Sequence, residues 1–286
     1  MEGRSIAAII ISYNSQETIK ETINSIMYQV DMVIVVDNNS DNLCTEILSE
    51  LVSRSNKLKV IYLSENKGIA SALNIGIREA MNNNLEYIVT LDHDSICCDE
   101  FVGKMLSQYK EMELTYKDLI LAPDVIDKSS GISKYERLSD SNKLIKVEGL
   151  MQSGCVFNVR IFQEIGYFNE DLFIYYVDDE FCKRVASVEG NCFINRDVYI
   201  LHNEGKHFSK KIFGKQFELR TYSGISLYYI SRNCIYMCKQ FSYSYFRRII
   251  EEFRNTILFS KNRRKDLFYM YKGMKDGFKS VLGKMS

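Results

Sequence analysis

Two carboxylates one residue apart, Asp92 and Asp94, leave the end of the apolar run Tyr87-Ile88-Val89-Thr90-Leu91, with His93 between them and Ser95 behind. In a parallel sheet, ligands collect outside the carboxyl ends of the strands. An Asp-x-Asp there can hold a divalent cation and, through it, the phosphates of a nucleotide. The same residue types also cap helices, and Asp94 or Ser95 could serve a helix starting near Asp99. Both readings stand on these residues alone.

Other polar side chains sit where chemistry could use them. In FIYYVDDEFCKRVASVE, residues 173–189, the acids Asp178, Asp179 and Glu180 fall at a helix start, where carboxylates are drawn to the positive helix end and one of them could serve as a cap. His202 follows a strand over 198–201. Ser12-Tyr13-Asn14-Ser15 ends the run 4–12, and Asp37-Asn38-Asn39-Ser40-Asp41 ends the run Met32-Val33-Ile34-Val35-Val36.

These groups need elements to carry them. After the first strand, Ile19, Ile23 and Ile26 recur at helical spacing, and Asn14 or Ser15 is expected to cap that helix. A third strand over 59–63 leads through Ser64-Glu65-Asn66-Lys67-Gly68 into a helix marked by Ile69, Leu73, Ile77 and Ala80. With the Tyr87 strand this makes four strand-then-helix units, the pattern of a doubly wound α/β sheet whose polar strand ends share one rim. No GxGxxG follows the first strand and no P-loop is present, which argues against dinucleotide-binding and P-loop versions of the fold. The only proline, Pro123, should open a loop reaching about Lys143, and 203–214 has the polarity of a mobile flap.

Apolar residues make up 46% and charged residues 26% of the 286, ordinary for a globular chain of one main domain and a smaller appendage. No run approaches the roughly 18 uninterrupted apolar residues of a membrane span. The N-terminal run lacks a cleavage site, so a cytosolic location is expected. The eight cysteines have no zinc-type spacing and read as reduced core residues. The formal net charge of zero hides an asymmetry: residues 222–286 carry 13 Lys+Arg against 4 Asp+Glu, a net of +9, which leaves −9 for 1–221. An anionic surface suits the tail and not the body, and no nucleic-acid partner is expected.

The ordered set ISYN, VDNNS, NKGIASALNIG, LDHDS, SGC, GYFNEDLFIYYVDDEFCKR and LHNEG resembles the GT-A glycosyltransferases of family 2, most nearly the rhamnosyltransferase-like branch that builds bacterial surface polysaccharide. The resemblance covers roughly residues 5–240. It implies a mixed α/β sheet flanked by helices, a nucleotide-binding half to about residue 100, an acceptor half to 221, and a helical basic appendage over 222–286. It also implies inverting transfer of a sugar, dTDP-rhamnose being the first donor to consider and a UDP-hexose the second, onto a lipid-linked or oligosaccharide hydroxyl with Mn²⁺ or Mg²⁺. A non-catalytic sugar-nucleotide-binding protein of the same fold is the alternative.

Carried over by position, Ser12 and Tyr13 resemble base-contacting residues, Asp37 the carboxylate that accepts from the base, and Asn66, Lys67 and Gly68 the third nucleotide-facing loop. Asp92 resembles the ribose-side carboxylate, with His93 beside it on the donor side, and Asp94 and His202 the metal side. Ser153 and Gly154 fall on the acceptor side. The family's acidic pair aligns with Asp178 and Asp179, which puts the general base at Asp178, although Val177 stands where many relatives carry Glu. The segment YYISRNCIYMCKQF resembles a branch motif centred on Arg232 and Asn233. Arg232 could face the diphosphate, face an acceptor, or pack.

In the tail, Phe246, Ile249, Ile250, Phe253 and Ile257 share one helix face. That face suits packing on the catalytic domain or a second copy, hence a possible homodimer. Beyond it, Lys261, Arg263, Arg264 and Lys265, then aromatic residues mixed with lysines, suit an anionic bilayer, giving a peripheral position on the inner face of the membrane.

Overall fold

Strand β1 (Ile6–Ser12) is buried along its whole length because parallel neighbours flank it on both sides, β2 (Met32–Asp37) and β4 (Tyr87–Asp92). Beyond β2 lies β3 (Leu58–Tyr62), also parallel. Continuous Ile/Val runs are what such doubly covered strands require. Helices α1 (Thr18–Ile26), α2 (Asn42–Arg54) and α3 (Ile69–Asn82) make the crossovers. At Gly76 a β-carbon would collide with Ile9, so the glycine lets α3 lie close on β1. The computed structural model describes residues 5–136, 142–203, 207–212, 215–220, 222 and 224–285.

The sheet continues past β4 in mixed directions. The short β5 (Ile96–Cys97) and helix α4 (Phe101–Met112) precede β6 (Leu119–Asp127), β7 (Leu144–Val147), β8 (Val156–Asn158), α5 (Arg160–Glu164), α6 (Val177–Ser187) and the long β9 (Asn191–His202). Strand order is β3-β2-β1-β4-β8-β6-β9-β5, with β7 also on β9. Strand β8 is antiparallel to β4 and β6, whereas β6 and β9 are parallel. The mixed α/β sheet flanked by helices expected from the sequence is the architecture observed.

Two local expectations are corrected. Pro123 does not open a loop: β6 runs through it to Asp127, with a register shift between Pro123 and Asp124 where the missing N–H is tolerated. Neither Asn14 nor Ser15 caps α1, because Asn14 Oδ1 accepts from Asp41 N (2.8 Å) and Ser15 Oγ bonds Ser12 Oγ (2.8 Å). Of the segment read as a flap, 204–206 and 213–214 lie outside the described residues, while β10 (His207–Ile212) and β11 (Lys215–Arg220) pair as an antiparallel hairpin. All eight cysteines are free thiols, seven of them buried.

The chain divides into two compact units, 1–169 with 178–203, and 170–177 with 204–286. The second contains α7 (Ile225–Gln240), α8 (Phe246–Phe259) and α9 (Arg263–Phe278). Leu227, Cys234, Ile235, Ile249 and Met270 form its apolar centre. Helix α9 comes so close to α7 that a β-carbon at Gly277 would stand 2.7 Å from the Arg232 carbonyl oxygen. Helix α8 departs from its apolar pattern: besides Ile249 it buries Glu252, Asn255 and Thr256, and it leaves Ile250 59% and Phe253 48% exposed. Glu252 is tolerated inside because Arg248 pairs with it at 2.7 Å.

Candidate active site

Register brings the polar strand ends to one rim. Ser12 stands beside Asp37 across β1 and β2, and Ile11 beside Asp92 across β1 and β4. Asp37, 1% exposed, is held by Ser40, whose N–H donates to Oδ2 at 3.0 Å and whose hydroxyl donates to Oδ1 at 2.5 Å. Ser12 is buried with its hydroxyl on Ser15 and Cys44, so of this pair it is Tyr13, half exposed, that offers a ring to a ligand.

Asn38, which sequence reading passes over, ties the second strand end to the third loop. Its Oδ1 accepts from Lys67 N (2.8 Å), and its Nδ2 donates to Asn66 Oδ1 (3.1 Å) and to the Gly68 carbonyl (3.2 Å). Gly68 N in turn donates to Asn66 Oδ1 at 2.9 Å, and Gly68 has φ +84°, the region that favours glycine. Asn66 and Gly68 are thus fixed, with Lys67 exposed between them. The asparagine run at the end of β2 was the available signal.

A second group gathers around β4. Gln152 Nε2 donates to Asp92 Oδ1 at 2.6 Å, and Asp92 N donates to Ser153 Oγ at 3.0 Å. Ser153 Oγ meets Ser95 Oγ (2.7 Å), Ser95 Oγ meets His202 Nδ1 (2.9 Å), and that nitrogen lies 3.3 Å from Asp94 Oδ1. The links therefore run from Asp92 through two buried serines to His202 and Asp94. Asp94 caps no helix; its carboxylate faces the imidazole. His93, expected on the donor side, bonds α1 through Thr18 Oγ1 (3.0 Å) and through its carbonyl, which accepts from Thr22 Oγ1 (2.7 Å). Burial lowers the His93 pKa and favours the neutral ring.

Asp178, in the first turn of α6, is half-buried, and its Oδ1 accepts from Asp179 N at 3.0 Å. Burial raises its pKa, against the backbone N–H groups of Asp179 and Gln152 and the charge of Lys134, which favour the carboxylate. Burial also pushes Asp92 up to about 7, and the negative charges of Asp94 and Asp178 add to the rise. Three carboxyl groups thus share one field, with Lys134 as the cation and Gln152 linking Asp92 to Asp178. Sequence reading missed both residues, since neither belongs to an acidic motif. Asp179 Oδ1 would stand 3.1 Å from a β-carbon at Gly149. Glu180 is buried in a fork with Arg184 at 2.9 Å and has a structural task.

Three expected contacts are corrected. Ser153 and Gly154 do not face an acceptor: both are buried, the first within the serine links, the second donating its N–H to the Thr90 carbonyl (2.6 Å). Gly154 has φ +86°, and its β-carbon would meet Pro123 Cγ at 2.5 Å. Arg232 belongs to the second unit, is 0% exposed and spends its guanidinium on backbone carbonyls and Asn233, the packing role of the three open to it.

Asp94 and His202 provide one carboxylate and one imidazole in contact, a donor set that suits Mn²⁺ or Mg²⁺ when diphosphate oxygens and water complete the coordination. Among the described residues, no group of three or more His, Cys, Asp or Glu side chains gathers to hold a metal by itself.

A rim of strand-end carboxylates and asparagines therefore lies next to a half-buried acid at a helix start on one mixed α/β sheet. Residues 7–166 match the family model "Glycosyl transferase family 2", and the chain belongs to that family of glycosyltransferases. It is 27% identical to a dTDP-rhamnosyl transferase, RfbF, of Shigella flexneri over 97% of both chains. It is 31% identical to a poly-beta-1,6-N-acetyl-D-glucosamine synthase of Staphylococcus epidermidis over 37% of this chain and 26% of that one. Among solved structures, GalNAc-T7 with UDP, GalNAc and Mn²⁺ superposes with TM-score 0.61 at 14% identity, covering 96% of this chain and 56% of that one. S. aureus TarS 1–349 in complex with UDP-GlcNAc gives 0.58 at 18% identity, over 96% and 81%.

Proposed function

We propose that this glycosyltransferase moves rhamnose from dTDP-rhamnose, or failing that a hexose from a UDP-sugar, to a hydroxyl of a growing, lipid-linked polysaccharide with inversion at the anomeric carbon. The observation that carries the reading is Asp178: a half-buried carboxyl of raised pKa, in the electrostatic field of the Asp92–Asp94 strand end. The full-length similarity to a dTDP-rhamnosyl transferase supports the choice of donor.

Tyr13 would stack on the pyrimidine, Asp37 would accept from the base, and the loop pinned by Asn38 would pass along the nucleotide. Asp92 would hold the ribose. Asp94 and His202 would hold Mn²⁺ or Mg²⁺, which when bound offsets charge growing on the departing diphosphate. Asp178 takes the proton of the acceptor hydroxyl as that oxygen bonds the anomeric carbon and the bond to the diphosphate breaks. Single displacement needs this one base and no covalent nucleophile. Asp179 is the neighbouring acid to test against it.

In this proposal, residues 1–221 act as the catalytic part and 222–286 as the appendage that brings it to the inner face of the membrane. Exposed Phe246, Ile250, Phe253 and Ile257 on α8, with exposed Lys261, Arg263, Arg264 and Lys265 after it, support a surface for anionic lipid. No helix among the described residues is long and apolar enough to cross a membrane. A homodimer through the same face is the competing use.

The test is release of nucleoside diphosphate from a panel of nucleotide sugars by purified protein, with and without Mn²⁺. Release from dTDP-rhamnose supports the first donor and release only from a UDP-hexose the second. Nucleotide-sugar binding without turnover on any of them, with an acceptor saccharide supplied, would favour the non-catalytic alternative.

A further inference from the structure

Residues 170–177 belong to the second compact unit, while the chain on either side of them, through Asn169 and from Asp178, belongs to the first. This short excursion delivers Asp178. Its backbone carbonyls are gripped by two adjacent side chains of α7. Arg232 donates through Nη2 to the carbonyls of Asp171 (3.0 Å) and Leu172 (2.8 Å), and through Nη1 to that of Gly283. Asn233 Nδ2 shares its two N–H groups among the carbonyls of Leu172 (2.9 Å), Ile174 (2.8 Å) and Tyr175 (2.9 Å). Arg232 Nε donates to Asn233 Oδ1 at 2.8 Å, which fixes the amide with its nitrogen toward the carbonyls. Both residues are 0% exposed.

The gripped backbone is unusual. Phe173, Tyr175 and Tyr176 have φ of +63°, +66° and +62°, left-handed values that bulky side chains rarely adopt. Such conformations persist only where the surroundings over-determine them. Here the surroundings are the grip itself and rings of the same unit, Phe173 stacked on Tyr229 (centroids 5.0 Å apart) and Tyr176 edge-on to Tyr245 (5.9 Å). Only Val177 separates the last left-handed residue from Asp178. Released carbonyls would let Tyr175 and Tyr176 relax, and the first torsions to change lie directly upstream of the carboxylate.

We infer that Arg232 and Asn233 are positioning residues for Asp178, acting through the strained segment 173–176. The inference rests on the proposed role of Asp178 as base. Displacing a reacting group by about 1 Å costs on the order of 10²-fold in rate. Asn233→Ala should therefore lower kcat by about 10- to 100-fold, leave affinity for dTDP within about twofold, and move the acid limb of the kcat–pH profile. Arg232→Lys, which keeps the charge and loses the fork, should do the same to a smaller degree and carries the comparison if Asn233→Ala does not fold.

The control is Asp266→Ala, a buried residue of the same unit bonded to Gly224 and Ser260 and not to the segment. It should lower the melting temperature without the loss of kcat or the shift in pH profile. Steady-state release of dTDP from dTDP-rhamnose, or from the panel donor found active, is measured for all variants beside Asp178→Asn. If Asp178→Asn is crippled while Asn233→Ala and Arg232→Lys behave like Asp266→Ala, the positioning role is wrong and the base assignment survives. Wild-type turnover in Asp178→Asn would remove the base assignment and the positioning role with it.

Discussion

Replacing Ser153 by alanine asks whether the buried serine links hold the two ends of the candidate site together. The hydroxyl has two partners: it accepts from Asp92 N at 3.0 Å and bonds Ser95 Oγ at 2.7 Å. Alanine fits the same space, so the change is the loss of those bonds. One half-buried backbone N–H is left without its acceptor, a cost of at most about 1–3 kcal/mol. Ser95 retains His202 Nδ1 at 2.9 Å, so its share of the loss is smaller, and about 2 kcal/mol in total is expected. The functional effect comes through His202 and Asp94, whose orientation Ser95 supports. Loss of such an outer partner typically weakens metal affinity by about 10- to 100-fold. Urea denaturation followed by far-ultraviolet circular dichroism measures the first quantity, and titration calorimetry of dTDP with and without Mn²⁺ the second. Unchanged Mn²⁺-dependent affinity in a variant destabilised as expected would refute the coupling, and unchanged stability as well would refute the bonding itself.

Four further outcomes are expected. Asp94→Ala should abolish the Mn²⁺-dependent part of dTDP binding with little change in melting temperature; unchanged affinity in calorimetry would mean the carboxylate has no part in the site. The kcat–pH profile should fall on its acid side above the ordinary carboxylate range, because a base of raised pKa is protonated earlier as pH drops, and Asp178→Asn should lack that limb. The stability sign is the reverse: the native pKa exceeds the unfolded one, so the stability contributed by the protonated group is lost as pH rises through the native value, and Asp178→Asn should gain stability on the alkaline side. Deleting 261–286 is a poor test of the tail, since it removes α9 and Gly283 from the second unit; replacing exposed Arg263, Arg264 and Lys265 by Gln, and Phe253 and Ile257 by Ser, should instead abolish co-sedimentation with anionic vesicles. Salt at 0.5 M, a Debye length of about 4 Å, should mimic the charge change, and equal pelleting of variant and wild type would sink the membrane reading.

The first half of the fold was legible because its strands are continuous apolar runs ending in polar clusters, and parallel pairing then fixed which ends share a rim. Pro123 misled because a proline inside a strand is tolerated only at an irregularity, and the register shift after it has no sequence mark. Asp92, Asp94, Asp178 and His202 were legible as residues that could do chemistry. Their supports were not. Gln152 reaches Asp92 across 60 positions, and Asn38 reaches Lys67 across 29. Such pairings depend on tertiary approach and leave no local periodicity. Arg232 and Asn233 stood out as a motif, yet a buried guanidinium bound to carbonyls reads the same in sequence as one that binds phosphate. On α8 the apolar face was legible and its direction was not, because the Glu252–Arg248 pair lets a polar face turn inward.

In the proposed reaction Asp178 is the base of a sugar transfer fed by the nucleotide rim. The most direct test is steady-state turnover of dTDP-rhamnose and a panel of UDP-hexoses by wild type, Asp178→Asn and Asp179→Asn, with dTDP and UDP affinities measured on the same preparations. Wild type should release one nucleoside diphosphate, with a loss of about 10²-fold or more in Asp178→Asn at unchanged nucleotide affinity and a smaller loss in Asp179→Asn. Wild-type turnover in Asp178→Asn, or a crippled Asp179→Asn beside it, would contradict the assignment.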